Sequence, residues 1–374
     1  SLVFSAFISS QLRIEIKGGL EDPINIAIVP FQWNLKTPQQ ESIQKVVQSD
    51  LESFGEYAVL SPENMLSLPS RAEEVFFKDW RILGSDFLVI GEVNPLEEPK
   101  EMLVNYLIFD VVRERIIHRG KVIGPIVTQR KMAHKISDKI YSKTQGIPGI
   151  FSTKIAYIDK PSDLNPAYNL MISDIDGFDS LSLFSSPQPL MSPSWSTDMK
   201  KIAYVSFEEG SSRIYIQELA TAERIGLKQE EGINSSPNWS PDGKKMSAVL
   251  SKSGNPDIHI YDFKQSSWIQ LTNHFGIDTE PDWSPDSNKL IFTSNRSGSP
   301  QIYELNVKSK KVKRLTFEGS YNARARYLPN GKEIVFVHRR NGIFHIATQN
   351  IKTGKIKILT DTTLDESPTV SPNG

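Results

Sequence analysis

Six histidines, at positions 118, 134, 259, 274, 338 and 345, are the side chains best suited to proton transfer or metal ligation in this 374-residue chain. None stands in the His-Glu-x-x-His spacing that sets two imidazoles on one helix face. His338 and His345 face each other across an expected hairpin and read as strand or turn residues. Cysteine is absent, which removes disulfides, thiolate zinc sites, iron-sulfur clusters and thiol nucleophiles. No Gly-x-Ser-x-Gly elbow offers an activated serine, and no phosphate-cradling glycine pattern joins a strand to a helix. Asp79, Asp86 and Asp110 could be drawn as a carboxylate cluster, but scattered acids of this kind usually cap turns and solvated ends. No catalytic, cofactor-binding or metal-binding residue is therefore assigned.

With 43 basic against 44 acidic side chains, the chain lacks the basic excess of a dedicated nucleic-acid binder. Its length calls for two or three domains. No run approaches the roughly 20 apolar residues of a spanning helix. The opening SLVFSAFISS, residues 1–10, is apolar and then small, like the tail of a secretory signal peptide; the mature chain would start near Gln11.

Residues 11–146 alternate between strand and helix patterns. Leu12 to Ile16 and Ile24 to Phe31 read as strands. Thr37-Pro38-Gln39-Gln40 offers a helix cap, with Ile43, Val46, Val47, Leu51 and Phe54 at helical spacing and Gly55 as the stop. A second capping box, Ser70-Arg71-Ala72-Glu73, opens a helix ending near Gly84. Strands follow over Asp86 to Val93, Met102 to Val112 and Glu114 to Ile123, then a helix after Thr128 carrying Met132, Ile136 and Ile140. The expectation is an α/β layer domain, closed by a linker at 147–149.

Residues 150–374 carry a repeat. Trp195-Ser196-Thr197-Asp198, Trp239-Ser240-Pro241-Asp242-Gly243, Trp283-Ser284-Pro285-Asp286-Ser287, Tyr327-Leu328-Pro329-Asn330-Gly331 and Val370-Ser371-Pro372-Asn373-Gly374 recur at intervals of 44, 44, 44 and 43 residues. A β-rich segment follows each of the first four, and an unanchored copy stands at Lys154 to Ile158. Four short strands in about 40–45 residues are the length of a β-propeller blade. The tryptophans are expected to pack between blades. The segments Met191 to Ser194, Ile233 to Asn238, Asp278 to Asp282, Tyr321 to Arg326 and Leu364 to Thr369 should converge on one mouth of the channel, where loops on a rigid scaffold recognise partners. Five copies could close a five-bladed ring if Val370 to Asn373 paired with the Lys154 strand, although Asn373-Gly374 is a turn that normally leads into another strand.

Through Ile28-Val29-Pro30-Phe31-Gln32-Trp33, Ser186-Pro187-Gln188-Pro189-Leu190-Met191-Ser192-Pro193, Thr279-Glu280-Pro281-Asp282-Trp283 and Leu364-Asp365-Glu366-Ser367-Pro368, the chain resembles the TolB family, the periplasmic component of the Tol-Pal system. The resemblance runs from about Arg13 to the end. It implies an α/β domain followed by a six-bladed propeller whose last blade is largely missing here. It also implies a non-catalytic, monomeric periplasmic adaptor without cofactor, exported by a cleaved signal peptide and reaching membranes only through its partners.

In the family the segment after signal cleavage engages the inner-membrane protein TolA; here that is Gln11, Leu12, Arg13, Ile14, Glu15, Ile16, Lys17, Gly18, Gly19, Leu20, Glu21 and Asp22. The propeller mouth engages the outer-membrane lipoprotein Pal, and imported bacteriocins use the same mouth. Thr279 and Glu280 match the family motif directly. Asn234 and Ser236 hold the equivalent loop one blade earlier, where Ile233 and Ser236 depart from the commoner His and Ala. Met191, Asp365 and Glu366 complete the expected Pal-binding set. The implied mechanism is relay: Pal at the mouth shifts the N-terminal segment between docked and released states, within a system serving envelope integrity and cell division.

Two rivals stand beside it. A propeller-gated serine peptidase would need the nucleophile elbow that is missing here. A sugar-binding or peptidoglycan-binding propeller would need aromatic platforms, and among the mouth segments only Tyr321 is aromatic. Lys308 to Arg314 reads as a solvated outer edge that resists strand pairing.

Overall fold

The computed structural model describes residues 23–96, 100–160 and 167–374. The signal-like residues 1–10 and the expected TolA segment 11–22 lie outside the described residues. The chain divides into two compact units, Ser1–Ile155 with Ser173–Asp179 and Asn373, and the remainder.

The first unit is built on a mixed sheet. Its elements are Ile24–Ile28 (β1), Gln32–Trp33 (β2), Ile43–Ser53 (α1), Tyr57–Leu60 (β3), Phe77–Ile82 (α2), Phe87–Pro95 (β4), Glu101–Asp110 (β5), Arg115–Pro125 (β6) and Gln129–Gln145 (α3). The strand order is β3-β1-β4-β5-β6, with β2 on β4. β1 runs parallel to β3 and β4, and β4 to β6 are antiparallel. Helical spacing puts Ile43, Val46, Val47 and Leu51 of α1 and Met132, Ile136 and Ile140 of α3 against Ile26, Ile28, Val104 and Ile108 of the sheet. The opposite sheet face buries Ala27, Leu88, Ile90 and Phe109 around Trp80 of α2.

Three local expectations are corrected. α1 starts at Ile43, not beside Thr37: Ser42 Oγ accepts the Lys45 N–H at 3.4 Å, while the Thr37 carbonyl is taken by Trp33 Nε1 at 2.7 Å. Glu74, not Glu73, returns to the Ser70 and Arg71 N–H groups at 2.8 and 3.2 Å. That tightens Ala72–Glu74 into a 3₁₀ turn and cuts the expected helix to α2. The short strand β3 was not foreseen, since four residues of YAVL carry little periodicity. At the end of α3, Gly146 takes the left-handed conformation, φ 79°.

The second half folds as blades. Lys154–Asp159 (β7), Tyr168–Asp174 (β8) and Leu181–Ser186 (β9) form a three-stranded sheet. Four complete antiparallel sheets follow. They are Leu190–Trp195, Lys201–Ser206, Arg213–Glu218 and Arg224–Gly226 (β10 to β13); Asn234–Trp239, Lys245–Leu250, Asp257–Asp262 and Ser267–Gln270 (β14 to β17); Asp278–Trp283, Lys289–Ser294, Gln301–Asn306 and Val312–Arg314 (β18 to β21); and Tyr321–Tyr327, Glu333–Arg340, Ile343–Asn350 and Ile356–Ile358 (β22 to β25). The described residues thus supply five blade sheets, where the resemblance implied six with the last largely missing here. The pairing of Val370 to Asn373 with β7 that would close a five-bladed ring is absent from that sheet, which holds three strands.

Cores lie between consecutive blades. Val249, Ile258 and Ile260 of one meet Trp283, Leu290 and Phe292 of the next, and Ile291 and Ile302 meet Tyr327, Ile334 and Phe336. Trp283, 4% exposed, fills such a space and donates its indole N–H to the Asn238 carbonyl of the preceding inner strand at 3.1 Å.

The repeat motif has a chemical reason. In each Trp-Ser-x-Asp copy the serine hydroxyl donates to the aspartate, Ser196 to Asp198, Ser240 to Asp242 and Ser284 to Asp286, at 2.6–2.7 Å. The same oxygen accepts the first N–H of the second strand, from Lys201, Lys245 and Lys289, at 2.9 Å. Leu-Thr ends close the blades: Thr272, Thr316 and Thr360 accept the N–H of Ile258, Ile302 and Ile346 at 2.9 Å.

Candidate partner-binding rim

The innermost strands β10, β14, β18 and β22 each pack on the next. Cross-links at the turn end run from Thr197 Oγ1 to the Ser240 carbonyl at 3.0 Å and from the Asp242 N–H to Ser287 Oγ at 3.1 Å. Midway, Asp282 accepts from Asn238 Nδ2 at 2.9 Å and from the Tyr327 N–H at 2.8 Å. Burial pushes its carboxyl up, against the pull of Arg326 and these two donors.

At the entry end every inner strand makes the same bulge. Pairing with the second strand slips between Met191 and Ser194, Ser235 and Asn238, Thr279 and Asp282, and Ala323 and Arg326. Inside each slip one non-glycine residue adopts left-handed backbone: Ser192, Ser236, Glu280 and Arg324, with Ser367 in the fifth copy, at φ of 53°, 51°, 57°, 55° and 55°. For L-residues this costs roughly 1–2 kcal/mol each, and strain repeated at one place in a fold is characteristic of recognition sites.

The sequence-derived candidates fall on three recurring positions of this bulge. Ser236 and Glu280 are left-handed residues themselves. Met191, Thr279 and Glu366 stand one residue before that position; Met191 is 41% exposed and Glu366 is an exposed carboxylate. Asn234 and Asp365 stand two before it and are loop clamps. Asn234 is 2% exposed and holds the loop through the Glu230 N–H at 3.0 Å and the Glu230 carbonyl at 2.7 Å. Asp365 accepts from Thr360 and Thr362, whose hydroxyls hold its carboxyl below the usual range.

Glu280 and Glu366 are brought together by a residue the sequence reading did not single out. Arg324 donates its Nε to Glu280 Oε1 at 3.0 Å, lies 3.5 Å from Glu366 Oε2 and bonds Ser367 Oγ. Glu280 also accepts from the Arg324 N–H at 3.0 Å and from Thr293 Oγ1 at 2.8 Å. Thr279, Asn234, Ser236 and Met191 take no part in that cluster. The loops that enter the inner strands expose large apolar side chains: Ile233, Phe275, Ile277, Phe317 and Leu364. Phe275 and Phe317, 86% and 73% exposed, lie just outside the segments first read as the mouth, which is why that reading found few aromatics. Exposed apolar side chains on several such loops, beside charged groups, mark a candidate protein-binding surface. The expected His338 and His345 pair is real as strand register. Each ring is engaged structurally, His338 with Asn322 at 2.7 Å and His345 with the Thr360 carbonyl at 3.1 Å.

Comparison with known proteins follows the same division. Residues 12–117 match the model of the TolB amino-terminal domain and residues 141–374 that of the TolB beta propeller domain. Curated relatives include the Tol-Pal system protein TolB of Pseudomonas syringae, 40% identical over 62% of this chain and 53% of its own length. Another is that of Nitrosococcus oceani, 41% identical over 63% and 54%. The chain thus spans about half the length of the curated relatives it matches. Among solved structures, TolB from Acinetobacter baumannii aligns with a TM-score of 0.89 at 39% identity, covering 97% of this chain and 89% of that one.

Proposed function

Because the chain belongs to the TolB family, we propose that it acts without catalysis as a periplasmic adaptor of a Tol-Pal system. In this reading it is exported by a cleaved signal peptide and joins the inner-membrane protein TolA to the outer-membrane lipoprotein Pal. Residues 11–22 would engage TolA. The rim carrying Thr279, Glu280, Ser236, Met191 and Glu366, clamped by Asn234 and Asp365, would engage Pal, with bacteriocins and other outer-membrane proteins as further users of the same surface. Roles in envelope integrity and cell division, the division into 11–146 and 150–374, and a ring of six blades belong to the same reading.

The observation that carries it is the rim itself: exposed Phe275, Phe317, Ile233 and Leu364 stand on the loops that enter the bulged strands, which carry the Glu280, Arg324 and Glu366 charges. Exposed apolar and aromatic side chains beside charged groups suit a folded protein partner. The test is capture from periplasmic extract by the intact chain, by Thr279→Arg and by a variant lacking residues 11–22. Loss of Pal in the first variant alone and of TolA in the second alone is the expected pattern. Retention of Pal by Thr279→Arg would overturn the assignment of the rim.

A further inference from the structure

We propose that His134, Asp174 and Asp176 form a binding site for one divalent transition-metal ion of the zinc type, with Asp50 as the outer partner that orients the imidazole. All four residues belong to the first compact unit, which includes the turn 173–179. Among the described residues, Asp50, His134 and Asp176 form the group of potential ligands whose donor atoms lie within 4.8 Å of one another.

His134 projects from α3 and its side chain is 2% exposed. Its Nδ1 faces Asp50 Oδ2 at 2.8 Å, and that carboxylate is fixed by Ser137 Oγ at 2.6 Å. This is the carboxylate-imidazole arrangement that fixes a histidine's tautomer and leaves Nε2 with its lone pair free for a metal. Nε2 is buried and has no hydrogen-bond partner. It points at Asp176 Oδ2, 3.7 Å away, and at Asp174 Oδ2, 3.8 Å away and likewise without a hydrogen-bond partner. Those separations are too long for hydrogen bonds. They suit two ligands of one small cation, since bonds of about 2.0–2.2 Å place ligand atoms roughly 3.3–3.8 Å apart.

The turn is shaped to hold both carboxylates inward. The Asp174 N–H donates to the Phe178 carbonyl at 2.8 Å, and the Phe178 N–H to Asp176 Oδ1 at 3.1 Å. Lys154 bonds the other oxygen of Asp174, Oδ1, whereas Arg130 bonds the same Asp176 Oδ2 that faces His134, while bridging to Glu41. A carboxylate oxygen has a second lone pair, so the arginine contact does not bar a metal from Asp176. Among the described residues, the carboxylates of Glu41, Asp50, Asp174 and Asp176 are faced by the permanent cations of Arg130 and Lys154. With a neutral imidazole the cluster therefore lacks the two positive charges that a divalent ion brings. One imidazole with two carboxylates leaves a fourth tetrahedral position for water, and Asp176, 18% exposed, gives the way in.

The experiment is calorimetric titration of the untagged, chelator-stripped full chain with Zn2+, repeated with Co2+ for its visible bands. Expected are one ion per chain at micromolar affinity or tighter, a raised melting temperature, and a tetrahedral cobalt spectrum. Asp174→Asn and His134→Gln should each weaken binding at least tenfold, and His345→Gln should leave it unchanged. Should His134→Gln fail to fold, Asp174→Asn decides, because its amide oxygen still accepts from Lys154. Absence of binding by the parent chain, or equal affinity in Asp174→Asn, overturns the proposal and leaves His134 as a buried proton carrier.

Discussion

Glu280 and Arg324 occupy the same left-handed position of consecutive inner strands, 44 residues apart, and are joined twice: through the Arg324 side chain at 3.0 Å and through its backbone N–H at 3.0 Å. The pair couples two blades through one carboxylate. Glu280→Ala removes three hydrogen bonds and should cost about 2–4 kcal/mol in urea unfolding. Arg324→Ala keeps the backbone contact and, with its side chain 40% exposed, should cost about 1 kcal/mol or less. The opposite order would show that the carboxylate is not the centre of the cluster.

Left-handed backbone at Ser236, φ 51°, makes a contrast between two substitutions. Ser236→Gly should be neutral or stabilising by up to about 1 kcal/mol, the relief of strain being partly offset by the greater freedom of glycine in the unfolded chain. A β-branched side chain tolerates this region poorly, so Ser236→Val should lose about 1–3 kcal/mol. Denaturant midpoints measure both, and a stable valine variant would count against strain at the rim.

Thr316 is fully buried; its Oγ1 accepts the Ile302 N–H and donates to Gln301 Oε1 at 2.8 Å. Thr316→Val keeps the shape and leaves the Ile302 N–H unpaired, whereas Gln301 Oε1 keeps its bond from Asn322 Nδ2, at a cost of about 1–3 kcal/mol. Thermal melts of the valine and serine variants separate the two terms: the serine should recover most of the loss.

Burial holds His259 below the ordinary histidine range, aided by Lys252 and opposed by Asp257 and Glu230. Its Nδ1 lies 3.1 Å from the Asp257 carbonyl, while Nε2 is buried without a hydrogen-bond partner, so a second proton would bring an unpaired charge into the sheet. The folded form is neutral where the unfolded form takes a proton, and the stability this residue contributes is therefore lost as pH drops below about 6.5, a loss that His134, raised by Asp50, opposes. His338, lowered chiefly by burial, acts in the same direction as His259. Unfolding curves between pH 7 and 5 should show the loss, and His259→Gln should reduce the slope; an unchanged slope would exclude His259 as its source.

Much of the second half was readable because its signals are local and repeated. Trp239-Ser240-Pro241-Asp242 encodes a hydrogen-bonded turn within four residues, and the spacing of copies did the rest. The left-handed positions escaped because Ser192, Ser236, Glu280, Arg324 and Ser367 are none of the residues that advertise positive φ. In the first unit the cap at Ser42 was hidden by a better-looking pattern five residues earlier, one that competes for the Thr37 carbonyl with Trp33. Asp50 and His134 are 84 residues apart, and no periodicity links them; only the packing of α1 on α3 brings them together.

The fifth copy of the repeat is one residue short, and the shortage can be placed. From the closing threonine to the left-handed residue the chain runs Thr272 to Glu280 and Thr316 to Arg324, but Thr360 to Ser367. The missing residue comes out of the entry loop, while the kink after it survives. Backbone shape at the rim is therefore inherited separately from loop length and side-chain identity. Serine, glutamate and arginine each hold that position in different copies on the same frame, so the side chain presented there varies from blade to blade without a change of fold.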